Sequence, residues 1–183
     1  MASIKNTILI DRTGQQFTIR TAQPDDAEAL LIYIRTLAEG TEFFVMEPDE
    51  FPETVEEEQV WIQDHLDDPG KIILLAETDN RIIGSITLEA GIFRRTAHRG
   101  GLGIGVAEEY RGRGIGEALI QTLLDWAART TSIEKVTLDV FADNTRAIGL
   151  YKKLGFIEEG RRIRDIKRGD EYVDTIMMYK FVK

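Results

Sequence analysis

The run Val106-Ala107-Glu108-Glu109-Tyr110-Arg111-Gly112-Arg113-Gly114-Ile115-Gly116-Glu117-Ala118-Leu119 decides the fold. An apolar strand from Gly101 to Val106 leads into it, glycines turn the backbone, and a helix opens at once. The first N–H groups of a helix have no intrahelical acceptor and lie at the positive end of its dipole, so they bind anions. Glycine permits positive φ and lets a phosphate approach the main chain, while Arg111 and Arg113 add positive charge. The chain has no Gly-x-x-x-x-Gly-Lys-Ser/Thr run, and Gly112-x-Gly114-x-Gly116 is not the Gly-x-Gly-x-x-Gly of a dinucleotide fold. Spacing alone therefore leaves a phosphate cradle and a structural turn as equal readings.

The helix after the turn runs from Ile115 to Arg129, with Ile115, Leu119, Leu123 and Ala127 on one face and Glu117, Gln121 and Asp125 on another. Upstream, Ile8-Leu9-Ile10 and Phe17-Thr18-Ile19-Arg20 flank a polar turn and read as a hairpin. Pro24-Asp25-Asp26 starts a helix that ends near Gly40, and a loop with Phe43, Phe44, Met46, Pro48, Phe51 and Pro52 follows. Thr54 and Glu57 fit a capping box for a second helix carrying Val60, Trp61 and Leu66. Ile72–Ala76 and Ile82–Leu88 read as strands buried on both faces. Downstream come a strand from Val136 to Phe141, a helix from Thr145 to Leu154, and strands over about 156–167 and 172–181. The order ββ-α-α-βββ-α-β-α-ββ predicts a single three-layer α/β domain over residues 1–183. Residues 1–16 form an N-terminal hairpin extension, and the mixed, mostly antiparallel sheet has helices on both faces.

A second motif follows at Asp143-Asn144-Thr145-Arg146-Ala147-Ile148-Gly149-Leu150-Tyr151-Lys152-Lys153-Leu154-Gly155-Phe156. Arg111-x-x-Gly114-x-Gly116 resembles the acyl-CoA pyrophosphate loop of the GNAT superfamily of N-acetyltransferases, Gln/Arg-x-x-Gly-x-Gly/Ala. The second motif resembles that family's Asn-x-x-Ala-x-x-x-Tyr-x-x-x-Gly-Phe segment at each of those positions. The resemblance covers roughly Phe17 to Phe181, and two motifs in the right order are far more specific than either alone.

This resemblance implies the acyl-CoA N-acyltransferase fold and acetyl-CoA as co-substrate, lying where the Gly101–Val106 strand splays from the Val136–Phe141 strand. It implies cofactor contacts from Ile104, Gly105 and Val106, a pyrophosphate held by the N–H groups of Arg111, Gly112, Arg113, Gly114, Ile115 and Gly116, and a hydrogen bond from Asn144. Asn144 also suits a helix N-cap. It implies direct attack of a neutral amine on the thioester, a backbone N–H near Val106 facing the oxyanion, and Tyr151 as general acid. By position alone, Tyr151 reads as a packing aromatic. Many family members carry the base on the pantetheine-pairing strand, but Gly101-Leu102-Gly103-Ile104-Gly105 has no carboxylate. Glu89, His98 and a water relay are the remaining candidates, with Glu89 the leading one. The missing carboxylate also supports a second reading, a catalytically silent acyl-CoA-binding module for sensing or assembly.

The net charge is −9, which argues against nucleic acid and anionic membranes as partners. Glu42 to Asp68 carry eleven acids and no Lys or Arg, so the rest of the chain sums to +2. The acceptor side of the resembled fold is built partly by this segment, which points to a small or peptidyl amine of cationic character; Glu56-Glu57-Glu58 would equally serve the helix dipole. The basic run Arg161 to Arg168 reads first as a solvated strand face. Without cysteine there is neither a disulfide nor a thiolate metal site, and two histidines 33 residues apart do not suggest a metal centre. With no apolar run near membrane-spanning length and no signal-peptide core, a cytoplasmic location is expected. Homodimers are common in the resembled family, and the aromatics of the Phe43–Phe51 loop are a candidate interface.

Overall fold

Alternating apolar residues pair β1 (Thr7–Ile10) with β2 (Gln16–Thr21) as the expected opening hairpin. A short 3-10 turn at Pro24–Asp26 leads into α1 (Ala27–Glu39), which stops at Gly40. The computed structural model describes residues 2–47, 50–51, 54–129 and 132–183. Pro48, Asp49, Pro52 and Glu53, read above as part of the acidic loop, lie outside the described residues. Thr54 caps α2 (Val55–Asp67): its hydroxyl accepts from the Glu57 N–H at 3.2 Å, and Glu57 reaches back to the Thr54 N–H at 3.4 Å.

Then come β3 (Lys71–Thr78), β4 (Arg81–Ala90), β5 (Arg99–Val106), α3 (Ile115–Arg129), β6 (Lys135–Phe141), α4 (Thr145–Lys153), β7 (Ile157–Arg168) and β8 (Glu171–Phe181). They build one eight-stranded sheet in the order β1-β2-β3-β4-β5-β6-β8-β7. Among the described residues its one parallel pair is β5 with β6. One face carries α3 and α4 over a core containing Leu74, Ile86, Leu88, Leu119, Leu123, Val136 and Met178. The opposite face carries α1 and α2 over a smaller core containing Leu30, Leu37, Ile62, Leu66, Ile73 and Leu75. Among the described residues no helix is long and apolar enough to cross a membrane.

Three local expectations are corrected. Val60 is 61% exposed, and the buried face of α2 is Glu58, Ile62, His65 and Leu66. β3 is buried on both faces, but β4 alternates: Ser85, Thr87 and Glu89 stay at least partly open because α1 and α2 leave that side of the strand uncovered. The loop aromatics do not offer a free surface. Phe51 is buried and packs on Phe44 at 5.7 Å between ring centroids, and Phe43 meets Phe141 edge-on at 5.9 Å.

Candidate active site

The pairing of β5 with β6 spans only Arg99–Gly101 against Lys135–Thr137, after which the two strands part. Hydrogen-bond parity identifies the groups that front this gap. The Ala107 N–H donates to the Ile83 carbonyl and the Gly91 N–H to the Arg99 carbonyl, each at 3.0 Å. Gly101, Gly103 and Gly105 therefore form the hydrogen-bonded pairs with Glu89, Thr87 and Ser85 of β4. Leu102, Ile104 and Val106 turn their N–H and carbonyl groups the other way, into the gap. Gly105 contributes differently from its neighbours: its backbone belongs to β4, and its hydrogen lets α1 approach. A methyl there would overlap Leu37 Cδ2 and lie 3.3 Å from the Tyr33 hydroxyl.

At the open end of the gap, Gly112 (φ 84°) and Gly114 (φ 96°) hold the left-handed backbone that brings the chain around to the start of α3. Arg111 ties this turn to the strand, its Nε donating to the Val106 carbonyl at 3.0 Å. Arg113 does not face outward as free charge. It bonds Gln15 at 2.9 Å and Asp11 at 3.3 Å, and lies over the Tyr110 ring. Asp11, hydrogen-bonded by Thr13, Gln15 and Arg113, is held below the usual carboxylate range against the opposing effect of burial. The N-terminal hairpin thus buttresses the turn. Arg12 reinforces it, with its N–H on the Arg113 carbonyl at 2.9 Å and its guanidinium on Gly112 at 3.3 Å and Glu117 at 3.0 Å.

Two guanidinium groups flank the glycines: Arg146 Nη2 lies 3.3 Å from where a Cβ would sit on Gly112, and Arg12 Nε 3.5 Å from the same point on Gly114. A diphosphate fits this chemistry, with aligned N–H donors, no side chain in the way and positive charge on both flanks. Ile115 sends its side chain into the core, so only its backbone belongs to the turn. A Cβ on Gly116 would sit 3.6 Å from Val106 and 3.7 Å from Leu150, ordinary contact, so a small side chain would fit here without moving α3. Asn144 caps α4, its Oδ1 accepting from the Ala147 N–H at 3.1 Å.

Tyr151 lies seven residues further along, about 10 Å down the helix at 1.5 Å per residue. It is 7% exposed and edge-on to Phe156, and burial pushes its hydroxyl up to about 12. Glu89 is on the other face of the sheet, opposite Gly101, where the strands begin to part. Its Oε1 lies 3.3 Å from Nε2 of His65, a residue the sequence reading passed over. His98 is exposed in the connection before β5.

The structure thus gathers Arg111, Gly112, Gly114 and the start of α4 at one end of the gap, and sets Tyr151 and Glu89 on opposite faces of the sheet. An open concavity of about 600 Å³, lined by Glu39, Gly40, Thr41, Glu42, Phe43 and Arg111, adjoins the turn. Its wall is clasped from the far side by Arg168, which binds Glu42 at 2.7 Å and Asp143 at 3.1 Å and stacks near Phe43 and Phe141. The basic run on β7 is largely neutralised: Arg161 pairs with Asp174 and Arg162 with Asp139, both at 2.8 Å. Among the described residues no group of His, Cys, Asp and Glu could hold a metal ion.

Residues 39–156 match the model of the acetyltransferase (GNAT) family. The chain is 31% identical over 121 residues to the L-amino acid N-acetyltransferase AaaT of Escherichia coli strain K12, covering 66% of this chain and 75% of that protein. It is 26% identical over 168 residues to the spermidine N(1)-acetyltransferase of Vibrio cholerae, covering 91% and 93% of the two chains. The crystal structure of a GNAT-family acetyltransferase from Streptococcus pneumoniae superposes with a TM-score of 0.87 at 28% identity, over 91% of this chain and 99% of that one.

Proposed function

Because the chain belongs to the acetyltransferase (GNAT) family, we propose that it carries an acetyl group from acetyl-CoA to a primary amine by direct attack on the thioester, in the gap between β5 and β6. The observation that carries the proposal is the row of backbone groups at Ile104 and Val106 fronting that gap, continuous with the glycine turn at Gly112 and Gly114. The turn, with Ile115 and Gly116 behind it, holds the diphosphate, and Asn144, with its amide nitrogen left over from capping, meets the cofactor arm. Acetyl-CoA supplies the activated acyl group; the remaining tasks belong to the chain. The Val106 N–H faces the charge that develops on the carbonyl oxygen. Glu89, opposite Gly101 and so about 16 Å along β5 from Val106, takes a proton from the acceptor ammonium through a water relay, leaving a neutral amine. As the nitrogen bonds to the acetyl carbon and the carbon–sulfur bond breaks, Tyr151 protonates the departing sulfur. Tyr151 recovers a proton from the product nitrogen, and Glu89 returns its own to solvent.

The acceptor enters from the α1–α2 face, where Glu39 and Glu42 line the concavity. Glu42 is paired with Arg168 and Arg111 lines the same wall, so Glu39 is the lining acid that supports a cationic amine, and relatives named for amino acids and for spermidine bracket the class. The test is thiol release from acetyl-CoA across spermidine, free amino acids and short peptides. Tyr151→Phe should lower kcat about 100-fold with little change in acetyl-CoA affinity; unchanged turnover rejects the role of Tyr151.

A further inference from the structure

Under the reading of Glu89 as base, on which this inference rests, α2 buries a histidine beside that base. The His65 side chain is 3% exposed. Its Nδ1 lies 2.8 Å from the Trp61 carbonyl oxygen and its Nε2 3.3 Å from Glu89 Oε1. A carbonyl oxygen only accepts, so Nδ1 must carry a proton. In a neutral ring Nε2 would then be a bare lone pair aimed at a carboxylate oxygen, and two acceptors repel. The contact is a hydrogen bond only with a proton between Nε2 and Oε1. The Trp61 indole packs on the imidazole at 4.3 Å between centroids and helps fix the ring in place.

We infer that His65 is the positioning residue of the acceptor-side base: it holds Oε1 of Glu89, so that the second oxygen of this half-exposed carboxylate stays directed at the glycine strip of β5. The surroundings fit this division of labour. Opposite Glu89, β5 offers only Gly101, with Gly103 next along, and neither position has a side chain to compete for the carboxylate. The other charged groups near the pair are Lys71 across from Glu89 on β3, Arg99 two residues before Gly101 on β5, Asp64 and Asp68 at the end of α2, and Glu58 two turns up the same buried face. Lys71 is drawn toward Asp68, 4.0 Å away, so His65 is the group in bonding contact with Glu89.

Steady-state kinetics with a turned-over amine test this through His65→Gln, His65→Met, Glu89→Gln and the double variant His65→Met/Glu89→Gln. Gln and Met have similar length, but only Gln can donate to Oε1. His65→Met should lower kcat about 10- to 100-fold with the KM for acetyl-CoA unchanged, and His65→Gln should recover most of that loss. In the Glu89→Gln background, His65→Met should cost nothing further, because the residue acts only through Glu89. Equal losses in the Gln and Met variants, or the same fractional loss with and without Glu89, would make His65 a packing residue and overturn the inference. Full turnover by Glu89→Gln is a separate result: it removes the base itself, and the positioning role with it.

Discussion

Arg168 links the loop after α1 to the end of β6, and its removal has a calculable effect. Its guanidinium pairs with Glu42 and Asp143, which are 58% and 48% exposed, and lies 5.6 and 5.5 Å from the ring centroids of Phe43 and Phe141. Half-exposed ion pairs contribute about 0.5 kcal/mol each, and each aromatic contact about 0.5 kcal/mol at such a site. Arg168→Met keeps an apolar stem and loses all four contacts, and the two that reach the loop after α1, to Glu42 and Phe43, amount to about 1 kcal/mol together. At about 1.4 kcal/mol per decade, that share corresponds to roughly a 5-fold rise in opening of the loop. Hydrogen exchange of a peptide spanning Thr41 to Glu47 reads this directly and needs no acceptor. Exchange there should quicken by up to that factor, while peptides from α3 stay unchanged. Salt at 1 M should narrow the difference by weakening the ion pairs in the parent protein. Unchanged exchange in Thr41–Glu47 would refute the clasp.

Two pH predictions follow from buried groups. Burial raises the Tyr151 hydroxyl to about 12 from an ordinary value near 10, so the stability this adds is fully present below about pH 10 and is lost as pH climbs from there toward 12. Thermal melts of Tyr151→Phe should therefore lack part of the alkaline loss seen in the parent, and a basic limb of kcat below pH 9 that survives in Tyr151→Phe belongs to another group. Glu58 is 3% exposed on the inner face of α2, and burial raises its carboxyl. Its raised value favours the fold at acid pH and costs stability as pH rises through it. Glu58→Gln should thus raise Tm at pH 8 more than at pH 5; a shift independent of pH would show that its charge is not the cause.

The motifs were legible because each lies within one continuous stretch. The glycine turn and α3 follow directly on β5, so a few positions with a fixed period suffice to read both, and α3 spans Ile115–Arg129 as its apolar stripe predicts. What escaped depends on pairing across the chain. Arg12 reaches Gly112 over a separation of 100 residues, and no local pattern in the opening hairpin announces it. An apolar stripe alone does not reveal His65 on the inner face of α2. That face repeats at Glu58, Ile62 and His65, the i, i+4, i+7 spacing of a helix, with ionisable residues at two of the three positions. β4 misled for a related reason: Ile82 to Leu88 is apolar enough for a buried strand, but which side stays open depends on where α1 and α2 end. The glycines of β5 read as a missing base; in the folded chain they also clear the floor beside Glu89.

Transfer of an acetyl group to an amine in the gap beside β5 can be read in one assay. Thiol release from acetyl-CoA is followed with spermidine, free amino acids and N-terminal peptides as acceptors, alongside calorimetric binding of acetyl-CoA to the same protein. Acetyl-CoA should bind, and at least one of these amines should be acetylated with stoichiometric thiol release. Binding of acetyl-CoA with no turnover on any amine would contradict such transfer and mark the fold as a silent acyl-CoA-binding module.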